Sequence, residues 1–237
     1  MPPAPAPGNL RPMQDGAEPP PPDRRLIETV SARYAGASRF TRGYVGSKLR
    51  RDPSTAAILA LAHRAGGLGH VADLGCGRGQ LALALLLSGA ASRVTGLDYE
   101  AAKVAEARAA SVGLAAGFEQ ADLTAAAVPD CDTALMVDVL YQLPEAAQGP
   151  LLDRMAAAAR RRVVLRLFDP DRGWRSALGL AMERAGRAIR QDGAAVRPMP
   201  VTEVAARLAA AGFRSTVSPC WAGTPLPNVL LVAERSD

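Results

Sequence analysis

The 237-residue chain has few of the side chains on which disulfide, metal and base-stacking chemistry depend. Its 3 cysteines, Cys76, Cys131 and Cys220, are scattered, which excludes a disulfide framework. With only 2 histidines, His63 and His70, no metal-ligand spacing emerges. Aromatic residues make up 4% of the chain and do not interleave with basic ones, so stacking platforms for bases are hard to assemble. The longest apolar stretch, Leu81 to Ala91, is too short and too interrupted to span a bilayer. No apolar core follows a basic start, as a signal peptide requires, and a cytoplasmic location is expected. The net charge of +5 has one local cluster, Arg160-Arg161-Arg162, which leads into an apolar run and reads as a solvated strand entrance. Those arginines are the only support for a nucleic-acid partner, which is disfavoured.

Proline is unevenly placed: 9 of the 19 prolines fall within Met1 to Pro22. Such a segment buries too little apolar surface to offset its ordering entropy, so residues 1–23 read as a disordered tail. The remaining 24–237 suit one α/β domain. Helices are expected over 25–40 and 54–65, before any strand. Strands near 70–74, 93–97, 116–120, 132–138 and 162–168 then alternate with alanine-rich helices near 80–89, 100–112, 145–160 and 172–190. A helix over 202–211 and strands over 212–218 and 228–233 close the chain. The alternation implies a doubly wound, mostly parallel sheet with right-handed crossovers.

The most informative segment is Val71-Ala-Asp-Leu-Gly-Cys-Gly-Arg-Gly-Gln80, a buried strand entering a glycine turn and then a helix. Such a turn brings bare backbone and the positive end of a helix to the edge of the sheet, where a ligand can approach closely. Its glycines, Gly75, Gly77 and Gly79, give G-x-G-x-G, whereas a dinucleotide fingerprint needs G-x-G-x-x-G. Asp98 ends the next apolar run, 19 residues after Gly79, where a carboxylate can accept from a ribose diol or cap the following helix. Asp122 follows the third strand and by itself reads as a turn aspartate before Leu123-Thr-Ala. Asp138 ends a fourth apolar run and leads into Val139-Leu-Tyr-Gln-Leu-Pro144.

These motifs, in this order, resemble the cofactor half of class I S-adenosylmethionine (SAM) methyltransferases. The resemblance implies a seven-stranded sheet whose last strand is inserted antiparallel, with SAM as cofactor. It implies that Asp73 helps to hold the methionine end of SAM, with Gly75, Gly77 and Gly79 forming the loop. Asp98 with Tyr99, Asp122 with Leu123, and Asp138 would complete the cofactor set, and Lys48 would pair with the methionine carboxylate or remain solvated. The Asn/Asp-Pro-Pro-Tyr/Phe signature of exocyclic-amine methyltransferases is absent. Tyr44-Val-Gly-Ser-Lys-Leu-Arg-Arg-Asp-Pro53, Leu165-Arg-Leu-Phe-Asp-Pro-Asp-Arg-Gly-Trp-Arg175 and 222–233 resemble bacterial methyltransferases associated with aryl-polyene and lipid-like biosynthesis. The chain departs from that group in Arg160-Arg161-Arg162 and in Leu167.

The expected reaction moves a methyl group to an oxygen or carbon of a small or lipid-like acceptor, mainly by positioning. Tyr141 and Asp169 are the candidate bases, with Asp138 a third. Arg166, Trp174 and Arg175 are candidates for the acceptor pocket, with an Arg166–Asp169 ion pair as the structural alternative. No metal ligand is expected. Arg175 to Arg190 has the pattern of a basic amphipathic helix, which would cover the sheet or touch a membrane surface or lipid-like acceptor. A SAM- or nucleotide-binding protein without transfer, an RNA methyltransferase and a dinucleotide oxidoreductase are the alternatives.

Overall fold

Side chains that capture free backbone amides delimit the first helices. Asp23 caps α1 (Arg24–Ala32) by accepting from the Arg25 amide at 3.1 Å, and Ser38 caps α2 (Arg39–Arg51) by accepting from the Thr41 amide at 3.1 Å. The single helix expected over 25–40 is therefore two, separated by the turns over 33–38. Asp52 caps α3 (Pro53–Arg64), accepting from the Ser54 amide at 2.9 Å. Pro53 keeps Asp52 extended, at ψ 114°, so α2 and α3 stay distinct although adjacent. The computed structural model describes residues 20–171, 198–221 and 227–236, together with the backbone of 11–12. Trp174, Arg175 and the helix expected over 172–190 lie outside the described residues.

One sheet organises the chain. Its strands are β1 (Arg11–Pro12), β2 (His70–Leu74), β3 (Arg93–Asp98), β4 (Ala116–Gln120), β5 (Cys131–Val137), β6 (Ala159–Phe168), β7 (Phe213–Pro219) and β8 (Asn228–Arg235). They lie in the order β1-β7-β8-β6-β5-β2-β3-β4. Every pairing is parallel except those of β8, which runs antiparallel between β6 and β7. The seven expected strands and the inserted antiparallel strand are all present. The eighth is a two-residue addition: Arg11 and Pro12 pair with Thr216 and Val217, giving the β7 edge a partner from the proline-rich segment.

The pleat sends alternate side chains into two cores. On one face Val71, Leu135, Val164 and Val232 meet α1, α2 and α3 with α4 (Gln80–Leu87) and α5 (Ala101–Ala110). On the other, Leu74, Met136, Leu165 and Leu231 meet α6 (Glu145–Ala158) and α7 (Val201–Ala210). The almost uninterrupted apolar run of α4 follows from its position, because the helix touches β3, α1 and α2 and buries every residue from Gln80 to Leu85. Register then sets the functional edge. Leu74 pairs with Leu97 of β3 and with Met136 of β5, so the turns that follow β2, β3 and β5 emerge side by side. Strand order reverses at β2, and crevices that receive ligands form at such points in open α/β sheets.

Candidate active site

A cavity of about 460 Å³ occupies that crevice. Its floor is the glycine turn. The amides of Gly75 and Cys76 both donate to Leu97 O, at 2.7 and 3.0 Å, and the Gly77 amide donates to Asp98 Oδ2 at 2.8 Å. Asp98 Oδ1 accepts from the Glu100 amide at 2.9 Å. Asp98 thus locks the turn and the start of α5 together. A carboxylate offers about four lone-pair sites, so capacity for a diol remains.

The three glycines differ in what they permit. All have positive φ: 79° at Gly75, 56° at Gly77 and 77° at Gly79. A Cβ at Gly75 would stand 2.2 Å from Val139 Cγ2, and one at Gly79 would stand 3.0 Å from both Ala107 Cβ and Phe118 Cζ. Those two are glycine because the protein itself packs against them. Only at Gly77, which lines the cavity, would a Cβ meet nothing within 4 Å. The close approach expected along the whole turn is confined to that residue.

Asp73 lies buried in the cavity wall, and burial beside Asp98 raises its pKa to about 7. Asp122 and Leu123 line the cavity after β4, and Tyr99 lines it after β3. Asp122 is exposed, and its Oδ1 accepts from the Thr124 amide at 2.9 Å and the Thr124 hydroxyl at 2.8 Å. These bonds hold its pKa below the usual carboxylate range and leave Oδ2 for a ligand. At the opposite wall, Lys48 from α2 forms an ion pair with Asp52. Burial works against the Lys48 charge, but Asp52 and Asp138 outweigh it and raise its pKa.

Arg166 is arranged otherwise than expected. It does not line the cavity, and its ion pairs are with Asp138 and, at 3.7 Å, with Asp52, while Nη2 donates to Cys220 O at 3.2 Å. β6 places the guanidinium beneath the end of β5, facing the α2–α3 junction, so carboxylates from two other elements take it instead of Asp169. Asp138 has φ 60°, a strained value for a residue with a Cβ. Burial pushes its pKa up even though Arg166 and Lys48 oppose the rise. Tyr141 and Asp169 do not line this cavity. Tyr141 packs on Phe168 with ring centroids 6.2 Å apart, and Asp169 Oδ1 accepts from the Asp171 amide at 3.1 Å.

Several wall residues have no local sequence signal: Tyr44, Ser54 and Thr55 arrive from α2 and α3, and Gln142 from the one-turn 3-10 helix Leu140–Gln142. Gln80 had a signal, since it stands where a dinucleotide loop has its last glycine. Cys76 sits under the loop, and its Sγ lies 2.9 Å from where a Gly96 Cβ would be. His70 is at the other end of β2, where Nε2 meets Thr95 Oγ1 at 2.9 Å, and His63 is exposed on α3. Among the described residues no group of three or more His, Cys, Asp or Glu could hold a metal ion, and no helix is long and apolar enough to cross a membrane.

Comparison with known proteins agrees with this geometry. Residues 71–162 match the family model described as a methyltransferase domain. The magnesium protoporphyrin IX methyltransferase (ChlM) of Synechocystis PCC 6803, solved with bound S-adenosylhomocysteine (SAH), superposes with a TM-score of 0.62 at 22% identity, over 90% of this chain and 95% of that one. The N-methyltransferase NodS of Bradyrhizobium japonicum WM9, also with SAH, gives 0.60 at 14% identity, over 90% and 99%. No curated protein matches the sequence. The fold is that of class I methyltransferases, and 71–162 are a methyltransferase domain. The chain carries a match to a methyltransferase domain, and the two neighbours named hold SAH in this fold.

The cavity suits that molecule. Gln80 Oε1 and Asp138 Oδ1 are buried in its wall without a hydrogen-bond partner, as acceptors waiting for an ammonium or hydroxyl would be. Asp98 and Asp122 retain lone pairs, and Gly77 leaves open space beside its backbone.

Two predictions follow from this geometry. Gly75→Ala should lower stability by roughly 2–5 kcal/mol through overlap and backbone strain, and Gly77→Ala by about 1–2 kcal/mol through φ alone; denaturant midpoints at constant slope check both. Asp73 binds its proton more tightly when folded, its pKa rising from 3.8 to about 7. Its contribution to stability is therefore full below the lower value and lost as pH rises through the upper one. Between about pH 5 and pH 8 the wild type should lose more stability than Asp73→Asn, as urea unfolding of the unliganded proteins would show.

Proposed function

We propose that the protein transfers the methyl group of SAM to an oxygen or carbon of a small or lipid-like acceptor, in the cytoplasm and as part of secondary metabolism. The observation that carries this reading is the separation of the cavity from the basic cluster. Arg160, Arg161 and Arg162 begin β6, at the opposite end of the sheet, and Arg162 is buried against Glu234 at 2.8 Å. The one run of consecutive arginines therefore does not lead to the cavity, as a nucleic-acid track would. Beyond Asp138, the wall is formed by Val139, Gln142 and Leu143, which suits a compact acceptor. The structural neighbours include an enzyme named for a small molecule, magnesium protoporphyrin IX. The narrower likeness to enzymes of aryl-polyene and lipid-like biosynthesis belongs to the same proposal, with Trp174 and Arg175 on the acceptor side and peripheral membrane contact through 175–190.

When bound, SAM supplies an electrophilic methyl group on a sulfonium. The protein's task is then to align the acceptor and exclude water, which can supply several kcal/mol of the barrier. Lys48 would hold the methionine carboxylate and Asp73 its ammonium side, with Asp138 beside them at the passage to the acceptor. Asp98 with Tyr99 would hold the ribose, and Asp122 with Leu123 the adenine. Where the acceptor must lose a proton, Asp138 stands nearest: it lines the cavity, Oδ1 is free, and its pKa is raised. Tyr141 and Asp169 are the alternatives, from the C-terminal ends of β5 and β6.

Incubation with methyl-labelled SAM and a fractionated cell extract tests the proposal. Label should enter an organic-extractable small molecule. Label confined to RNA would support the nucleic-acid alternative, and SAM binding without transfer to any fraction would support a sensor.

A further inference from the structure

Four large apolar side chains stand exposed among the described residues: Phe40 (71%), Tyr44 (40%), Tyr99 (71%) and Val112 (72%). Three of them gather at one place. Tyr44 and Tyr99 line the cavity, and Phe40 stacks on Tyr44 with ring centroids 6.4 Å apart and planes 20° from parallel. Phe40, Tyr44 and Lys48 are spaced four apart on α2, so helical geometry puts them in one stripe that runs into the cavity wall. Arg78 supports the stack, its guanidinium carbon 5.8 Å from the Phe40 ring centre and 5.3 Å from that of Tyr44.

Arg78 does not make this surface an anion site. Its Nε pairs with Glu106 at 2.6 Å, and Thr41 donates to the same carboxylate at 2.8 Å. The two lysines of the cavity are paired as well, Lys48 with Asp52 and Lys103 with Glu100 at 2.5 Å. The rim thus offers flat aromatic faces, and the three cations that line or support it are matched by carboxylates. Exposed aromatic surface continuous with a ligand cavity marks a binding face and not accidental exposure.

We propose that the Phe40–Tyr44 stack is the acceptor platform, and that it selects a flat, unsaturated and uncharged acceptor which lies on the rings while its reacting atom enters the cavity. The proposal rests on the methyl-transfer reading for the identity of the occupant, and on the rim itself for the occupant's chemistry. Parallel rings favour a flat partner because offset stacking uses the whole face of each ring. An anion at this rim would meet Glu106, Glu100 and Asp122, while Arg78 and Lys103 already have carboxylate partners and Lys48 is taken by Asp52 and, in the proposed complex, by the methionine carboxylate.

The test is fluorescence titration of 1-pyrenemethanol, flat and uncharged, into the full chain with and without SAH. Wild type should bind it, Phe40→Ala at least fivefold more weakly, and Phe40→Tyr about as well as wild type. Phe40→Leu keeps apolar area but not a ring and should resemble the alanine variant, whereas Val112→Ala, away from the rim, should bind as wild type does. Pyrenesulfonate should bind at least fivefold more weakly than pyrenemethanol, and cyclododecanol should not displace it. Equal binding by Phe40→Ala and wild type, equal binding of the sulfonate, or displacement by cyclododecanol would overturn the proposal. Phe40-dependent pyrenemethanol binding in a protein that ignores SAH would uphold the platform and sink the methyl-transfer reading. SAH binding without pyrenemethanol binding would do the reverse.

Discussion

Asp98 is the constraint from which the site is built. One oxygen accepts from Gly77 and the other from Glu100, so a single carboxylate joins the turn after β2 to the turn after β3. Without it the glycine turn would have a half-buried amide to satisfy, and α5 would lose the bond that shapes its approach. The position of Asp98 follows from the register of β2 and β3, which ends both strands at the same level. Asp73 is buried one strand away, and the mutual repulsion of the two carboxylates contributes to its raised pKa. The protein thus holds two acidic groups close together, an arrangement suited to a ligand that brings positive charge.

A second set of charges links the cofactor wall to the rest of the fold. Lys48 and Asp52 come from α2 and its junction with α3, Asp138 from the end of β5 and Arg166 from β6. Burial opposes the charge on Asp52, yet Arg166 and Lys48 hold its pKa below the usual range. Asp138 is raised although it shares Arg166, which fits its place at a strained, deeply enclosed turn. The N-terminal helices are therefore fastened to the strand ends by charge as well as by packing. Tyr34 adds to this, its buried hydroxyl donating to Arg78 O at 2.6 Å within the glycine turn.

What was legible in the sequence was local or periodic. The strand–turn–helix around Gly75 to Gly79 declares itself because glycine is needed where φ is positive, and Asp98, Asp122 and Asp138 show up as carboxylates after apolar runs. The short apolar runs of β5, β6 and β8, buried on both faces, located the sheet. What could not be read depends on partners far away in the chain. Gly75 and Gly77 look alike until Val139 is placed against one of them. Arg166 has Asp169 as its sequence neighbour, but parallel pairing and the α2–α3 junction give it Asp138 and Asp52 instead. Likewise Tyr44, Ser54 and Thr55 enter the cavity wall only through helix docking. The break between α1 and α2 was readable in principle, since Ser38 is a strong capping residue, but helix-forming residues on both sides mask it.

The most direct test of the central claim, that the crevice beside β2 is a SAM site held by Asp98, is calorimetric titration of SAM and SAH into wild type and Asp98→Ala, with NAD as control. The account predicts micromolar binding of both SAM and SAH by wild type, loss of both in the variant, and no comparable binding of NAD. A well-folded wild type that binds neither, or that prefers NAD, would contradict it.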